Sequence, residues 1–178
     1  MNKAFRKLAR TEKQRGAVAI ELAVLFMVFF TLLYAIIAYS IPFLLTLSFK
    51  QISADAARDA VRVSPVMENY LERISQQVYE TVDGSWLPSD WVQDGCPAPT
   101  SDWNDLPPYG GKSYGHYRKS EPAPFSQPRY HLNICLQREY NRDNAIVPIL
   151  TVFGLDIPSL PQDEYGNTTL RGRSSIRL

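Results

Sequence analysis

The chain has few of the residues from which catalytic and metal sites are built. Its 178 residues include only two histidines, His116 and His131, and two cysteines, whose spacings match no known zinc-ligand frame. It also lacks a glycine-rich phosphate loop, a Gly-x-Ser-x-Gly nucleophile elbow and a paired-carboxylate motif. We therefore predict no enzyme activity, no metal and no cofactor, and we expect each histidine to be a surface or loop residue.

A strong excess of one charge sign is absent as well, because the formal net charge is only +1. The charges are nevertheless uneven. Residues 1–16 hold six Lys or Arg against one acid, Glu12, whereas the rest of the chain holds 13 against 17 acids. The basic residues form a leader, so we predict no nucleic-acid partner. By the positive-inside rule the N-terminus is expected in the cytoplasm and the C-terminal domain outside.

An apolar stretch from Ala17 to Phe49, closed by Lys50, dominates the sequence. It is longer than the ~20 residues needed to cross the hydrocarbon core of a bilayer. Glu21 is its only charged residue, and a carboxylate at mid-bilayer opposes insertion by roughly 2.5–3.5 kcal/mol, less near the edge. We predict a transmembrane helix over residues 17–49 and a helical extension over residues 50–63, with Glu21 as a candidate functional residue.

A secretory signal peptide is the competing interpretation of the N-terminus. Such a peptide has an apolar region of about 7–15 residues and ends at a small-x-small cleavage site. The apolar run here is more than twice as long. Ala38 and Ser40 are small, however, so residue type alone leaves cleavage near Ser40 open.

The junction in front of the apolar stretch has the order basic leader, Gly16, four residues, Glu21 and a long apolar helix. This order resembles the class III signal of type IV pilin-like proteins, in which a prepilin peptidase cuts after the glycine. The resemblance implies a mature chain that begins at Ala17, whose new α-amine titrates near about 7.7–8.0 and is largely cationic at neutral pH. Glu21 would then pair with the Ala17 ammonium of a neighbouring subunit, which would offset the burial cost and set the axial register.

A second segment, Ala56-Ala57-Arg58-Asp59-Ala60, follows the apolar helix. With Arg15-Gly16-Ala17 and Glu21, it resembles the TadE-like family of minor pilins (pseudopilins) of the tight-adherence (Tad) pilus, which is related to type II secretion machinery. The family also tends to end in a Pro-apolar stretch and an arginine-bearing strand, for which residues 147–150 and 171–178 are counterparts.

Two departures favour an accessory pilin over the bulk subunit of the filament. Leu22 follows Glu21, whereas the Tad major pilin has tyrosine after its glutamate. The chain is also far longer than a major Tad pilin.

Residues 64–178 are predicted to form a small α+β periplasmic domain with a short antiparallel sheet. Ser64 and Pro65 suit the N-cap and first turn of a helix, and apolar residues then recur at three- and four-residue spacing until Asp83-Gly84. Residues 130–137 and 168–178 alternate and predict strands.

Three parts of the predicted domain are expected to be exposed or irregular. The last strand has an arginine-lined face, which is either solvated or docks an acidic surface. Pro148 breaks the apolar run 146–153, which therefore predicts an edge or loop element. Residues 86–128 hold eight of the 13 prolines among Trp and Tyr residues, and they predict a long loop with either its own small core or a contact surface.

Cys96 and Cys135 both fall in the domain that is expected outside the cytoplasm. An even cysteine count in an oxidising compartment predicts a disulfide bond between them. Two unpaired buried thiols are the alternative.

The resemblance implies a TadE-like minor pilin that takes part in priming, initiation or tip formation of an adhesive Tad (type IVc) pilus. Its helix would pack laterally after cleavage between Gly16 and Ala17. The expected partners are the prepilin peptidase, major and minor pilins, the assembly platform of the bacterial inner membrane and membrane lipid. The alternatives are an uncleaved single-pass scaffold or receptor with a periplasmic binding domain and, less favoured, an extracytoplasmic enzyme on a signal anchor.

Overall fold

The computed structural model describes residues 3–120, 129–152, 154–162 and 166–178, apart from the side chains of residues 3–15. Parts of the predicted leader and of the predicted loop 86–128 therefore lie outside the described residues. The fold is α+β, which confirms the predicted class. In chain order the elements are α1 Lys3–Ala60, α2 Tyr70–Asp83, a 3₁₀ turn Ser89–Trp91, β1 Asn104–Asp105, β2 Gly115–Ser120, β3 Arg129–Glu139, β4 Leu150–Val152, β5 Leu155–Ile157 and β6 Thr169–Arg177.

Helix α1 is continuous over 58 residues and includes Pro42. It contains residues 3–16 of the predicted leader, so this part of the leader is helical. The leader is rich in Ala, Leu, Lys and Arg, which are strong helix formers, and proline first occurs at position 42. At its other end α1 stops at Ala60, three residues before the predicted end of the extension.

The chain forms two compact units, and α1 contributes to both. The first unit is the chain up to Ser40 together with Ile149–Ser159. The second is Ile41–Pro148 together with Leu160–Leu178.

The second unit contains an antiparallel four-stranded sheet with the strand order β1-β2-β3-β6. Strand β3 pairs with β6 from His131–Arg177 to Glu139–Thr169, which confirms the two strands predicted from alternation. The apolar face of β3 is buried, as the alternation requires. Its core partners are Phe49, Ile52, Ala56 and Ala60 from α1 and Ile74, Val78 and Val82 from α2.

Helix α2 begins later than predicted. Ser64 is not its N-cap; the cap is Asn69, which has a left-handed backbone with φ 61°. The Met67 amide donates to the Ser64 carbonyl at 3.2 Å, so this stretch forms a turn. Val66, expected on the apolar helix face, is instead 87% exposed. Asp83 ends the helix as predicted, with Gly84 as the C-cap.

Strands β1 and β2 lie inside the region predicted as a long loop, so the loop is interrupted by regular structure. Their register is Asn104–Tyr117 and Asp105–His116, and β2 also pairs with β3. Gly115 explains how β2 approaches β3 so closely, because a Cβ there would lie 2.3 Å from the Asn133 carbonyl oxygen. The proline and glycine content that suggested a loop therefore belongs partly to a tightly packed strand.

The first unit contains a small hairpin, β4–β5, in addition to the N-terminal part of α1. Strand β4 starts two residues after Pro148, which agrees with the prediction of an edge or loop element in this run. The Ser159 amide, which follows the hairpin, donates to the Tyr39 hydroxyl of α1 at 2.9 Å. The hairpin is thereby attached to the helix within this unit.

Candidate functional site: the exposed apolar helix

Residues 16–30 of α1 expose their apolar side chains on every face. Val18, Ile20, Leu25 and Phe30 are each more than half exposed, and the same holds for most of their neighbours. Such a surface in water would be unfavourable, since burying an apolar side chain is worth about 1.5–3 kcal/mol. Within the described residues, Gly16–Ala60 is the one helix long and apolar enough to cross a membrane, by length and composition.

Glu21 lies on this exposed surface, one helical turn after Ala17. Among the side chains that the structure describes, none forms an ion pair with it. An α-helix rises about 1.5 Å per residue, so the Cα atoms of Ala17 and Glu21 are separated by roughly 6 Å along the axis. The carboxylate therefore remains available to a group outside this chain.

Gly16 lies within α1, and the bond to Ala17 is helical on both sides. A Cβ at Gly16 would meet nothing within 4 Å. Packing thus gives no reason for glycine here, and a glycine inside a helix costs roughly 0.5–1 kcal/mol relative to alanine. The packing of the described residues therefore does not require glycine at this position.

The alanine- and arginine-rich end of α1 joins the helix to the second unit. Ala56, Ala57 and Ala60 are buried, while Arg58 and Arg62 are exposed. Two i,i+3 ion pairs lie along this end of the helix, with Arg58 3.1 Å from Asp55 and Arg62 3.3 Å from Asp59.

Asp59 has a second role that the sequence did not reveal. Its Oδ2 accepts a hydrogen bond from the Thr81 hydroxyl of α2 at 3.1 Å. Thr81 also donates toward the Gln77 carbonyl within α2, at 2.9 Å. The segment that resembles the TadE-like pattern therefore attaches α2 to α1 as well as ending the long helix.

Cys96 and Cys135 are at disulfide-bonding distance, with Sγ–Sγ 1.99 Å and Cα–Cα 6.1 Å. Both side chains are buried. Cys135 lies in the middle of β3, so the pair attaches the preceding irregular segment to the sheet. This geometry agrees with the predicted pairing and does not fit the alternative of two separate thiols.

The segment 93–103 crosses the outer face of the sheet, and we call it the cross-face segment. Besides Cys96, it is held by backbone bonds between Gln93 and Gln137 and by Arg173, which donates to the Pro97 carbonyl at 2.8 Å. Arg118 reaches Asp102 at 2.7 Å. The cover explains why Asn133 and Cys135 of β3 are buried although alternation predicted a half-buried strand.

His116 lies under this cover and is only 4% exposed, so the expectation of a surface or loop histidine was wrong for this residue. Its Nε2 is 3.2 Å from Asp105 Oδ1, as the β1–β2 register requires. Burial lowers the pKa of His116 and Arg173 adds to this effect, whereas Asp105 opposes it. In the described part of the chain, no group of three or more His, Cys, Asp or Glu could hold a metal ion.

The aromatic residues of the predicted loop mostly pack inside the second unit. The rings of Tyr109 and Tyr114 lie 5.4 and 6.2 Å from that of Tyr79, and Trp91 packs against the core. Trp86 differs, since it is 71% exposed. Burial, with smaller contributions from Tyr79 and nearby acids, raises the pKa of Tyr114 to about 12.

These observations define the class: an α+β protein whose single long N-terminal apolar helix fits a membrane anchor. Residues 16–62 match the family model described as TadE-like protein. The chain is therefore similar to the TadE-like family over the segment that includes Gly16, Glu21 and the alanine-arginine end of α1. No curated protein and no solved structure matches the chain.

Proposed function

We propose that this protein is a minor pilin (pseudopilin) that takes part in priming, initiating or capping an adhesive Tad pilus. It acts by lateral packing of its N-terminal helix with other pilin helices, after a prepilin peptidase has cut between Gly16 and Ala17. It is not an enzyme. The observation that carries the proposal is the exposed apolar helix, which bears one acid near its start and lies within the TadE-like match.

Glu21 is the register device in this scheme. A carboxylate in the hydrocarbon costs up to roughly 2.5–3.5 kcal/mol, so an exposed Glu21 on such a helix needs a partner. Cleavage creates one, because the Ala17 α-amine has an ordinary pKa of about 7.7–8.0. Within one chain the Ala17 amine lies one helical turn before the Glu21 carboxylate. The amine of a neighbouring helix that is displaced by roughly 6 Å along the axis lies level with that carboxylate. Pairing therefore selects one axial offset between subunits.

Gly16 supports the processing step. No neighbouring atom requires glycine at this position, and alanine there would favour the helix. A site for a peptidase supplies the missing reason, since a side chain next to the scissile bond would crowd the enzyme. The basic leader in front keeps this bond on the cytoplasmic side by the positive-inside rule.

The proposed location follows from the same arrangement. The helix crosses the bacterial inner membrane once, with the leader in the cytoplasm and the α+β domain in the periplasm. The partners are the prepilin peptidase, the major and minor pilins and the assembly platform. Disulfide-bonding geometry between Cys96 and Cys135 agrees with an oxidising compartment for the domain.

Intact-mass measurement of the membrane-extracted protein tests processing. We expect residues 1–16 to be missing from the wild-type protein and retained in Gly16→Ala, with unchanged thermal unfolding in the variant. A full-length wild-type protein in cells that contain the peptidase would contradict the proposal. That result would leave the uncleaved scaffold or receptor as the better interpretation.

Glu21→Ala tests assembly separately from processing. We expect normal cleavage and membrane insertion but loss of piliation, scored by electron microscopy and by sheared-pilus yield. Glu68→Ala is the matched control, because Glu68 is an exposed acid outside the helix. Normal piliation in Glu21→Ala would remove the register role of this carboxylate.

A further inference from the structure

The hairpin β4–β5 has two chemically different faces. Its register pairs Leu150 with Ile157 and Val152 with Leu155, so all four apolar side chains lie on one face. The other face carries Thr151, whose hydroxyl donates to Asp156 at 2.6 Å. Leu155 is 71% exposed, so part of the apolar face is uncovered.

A groove of about 410 Å³ runs between this apolar face and α1. Leu150 and Val152 line one side, and α1 lines the other with residues between Phe30 and Ile37. The hydroxyl of Thr31, within that stretch, already donates to the Met27 carbonyl at 2.8 Å. No charged side chain lines the groove among the described residues, so its ligand must be apolar.

Helix geometry fixes the depth of the groove in the proposed membrane. If the hydrocarbon core begins at Ala17, Phe30 and Ile37 lie about 20 and 30 Å along the helix, within the outer half of a core of about 30 Å. Tyr39 follows at roughly 33 Å, where tyrosine is favoured at the membrane–water interface. The Ser159–Tyr39 hydrogen bond places the open end of the hairpin at that interface.

We propose that this groove binds an acyl chain of a phospholipid in the outer leaflet of the inner membrane. The groove is continuous with the exposed apolar surface of α1, and its volume lies in the range of about 300–1,000 Å³ that small-molecule pockets occupy. Asp156 lies on the opposite face of the hairpin, and its carboxylate favours the headgroup region over the hydrocarbon. This carboxylate and the unpaired edges of a two-stranded hairpin restrict the insertion to within about 10 Å of the outer boundary of the hydrocarbon.

Lipid binding at this position gives the hairpin a purpose. Sliding of the helix toward the periplasm would move the apolar face of the hairpin into water, and sliding toward the cytoplasm would move Asp156 into the hydrocarbon. The hairpin therefore holds the helix at a fixed depth before assembly. The inference rests on the membrane-spanning part of the proposed function. It does not depend on pilus assembly.

The test places the photoreactive residue p-benzoylphenylalanine at Leu155, on the same apolar face but outside the groove lining, in the full chain reconstituted in vesicles of phosphatidylethanolamine and phosphatidylglycerol. Val66, which is exposed and lies in the turn before α2, is the matched control position. After illumination, mass spectrometry should find phospholipid adducts at position 155 and none at position 66. Alkaline carbonate extraction, done in parallel, reports whether the chain is anchored in the vesicles.

A second variant tests the groove itself. With the probe at Leu155, Val152→Trp should lower the lipid adduct yield about tenfold, because the indole ring fills the groove and displaces the acyl chain. Adducts with a second copy of this chain, or an anchored chain without lipid adducts, would overturn the lipid proposal alone. Release of the chain by carbonate would instead contradict the membrane anchor in the proposed function.

Discussion

Replacement of Gly172 by alanine should destabilise the second unit by overpacking the contact between β6 and α1. Gly172 lies in the middle of β6, opposite the backbone of α1. A Cβ at this position would lie 2.4 Å from both the Lys50 amide nitrogen and the Phe49 carbonyl carbon. These atoms belong to a helix backbone, so they cannot rotate away as the end of a flexible side chain would.

The size of the effect follows from the displacement that the methyl group requires. An ordinary contact needs roughly 1 Å more space, and overpacking of this kind costs typically about 1–3 kcal/mol. For a domain of this size the loss corresponds to a fall in Tm of roughly 5–15 °C. The rest of the core on α1, such as Ile52 and Ala56, would lose contact with the sheet as the helix moves.

Thermal unfolding of the full chain in detergent micelles, followed by near-ultraviolet circular dichroism, measures this change. The aromatic residues of the second unit give the signal, whereas far-ultraviolet signal would be dominated by α1. Ser174→Ala is the control, because Ser174 lies two residues along β6 and on the same face. A Gly172→Ala protein with Tm within about 2 °C of wild type would refute the close approach of β6 to α1.

Three further predictions concern the disulfide bond of the cross-face segment, the buried His116 and the core residue Tyr114. Replacing Cys96 and Cys135 together by serine should lower the free energy of unfolding by on the order of 4 kcal/mol on the chain-entropy model, and reductant should shift the guanidinium midpoint of the wild type equally. Because burial lowers the pKa of His116, the folded state prefers the neutral ring, and stability should fall as pH drops below about 6.5, the ordinary value. His116→Gln should weaken that dependence in pH-dependent unfolding, whereas His131→Gln should keep it. The pKa of Tyr114 is raised to about 12, so stability should fall as pH rises above about 10, and Tyr114→Phe should remove one late-ionising group from an absorbance titration.

The sequence identified the elements whose signals are local and periodic. The length of the apolar stretch predicts the long helix. The alternation in β3 and β6 arises because each strand has one buried face and one outer face. Gly172 occupies one of the inward positions of the alternation in β6. A glycine in a strand interior often marks close backbone approach, and this signal could have located the contact with α1.

The elements that the sequence did not reveal depend on distant partners. Strand β2 is a strand because β3 and β1 pair with it, while its own sequence lies in a proline- and glycine-rich region. His116 is buried because the cross-face segment covers the sheet, and nothing near it in sequence indicates that cover. The start of α2 was misplaced because Ser64-Pro65 suits a turn as well as a helix start, and the left-handed Asn69 decided between them.

The arginines of the outer sheet face bear on where partners bind. The sequence left open whether this face docks an acidic surface. In the structure Arg173 bonds to the Pro97 carbonyl, Arg118 pairs with Asp102, and Arg171 donates to the Gln137 side chain at 3.0 Å. An acidic partner would have to break these contacts and displace a segment that is also attached through Cys96. Its net gain would be small, because such a pair would only replace existing hydrogen bonds.

The exposed part of α1 is in the opposite situation. Its apolar side chains are uncovered on all faces, and the Glu21 carboxylate forms no ion pair with a described side chain, so a neighbouring helix replaces lipid without breaking any contact that the structure shows. In the proposed assembly, association there would be limited mainly by the fit between helices and by the proposed ion pair that fixes their offset. This difference is why we assign assembly to the helix. The outer face of the sheet is covered by the cross-face segment, and its arginines are already bonded. The inner face then serves to hold the end of α1, through Gly172 of β6 and through Ala56, Ala57 and Ala60 of the helix.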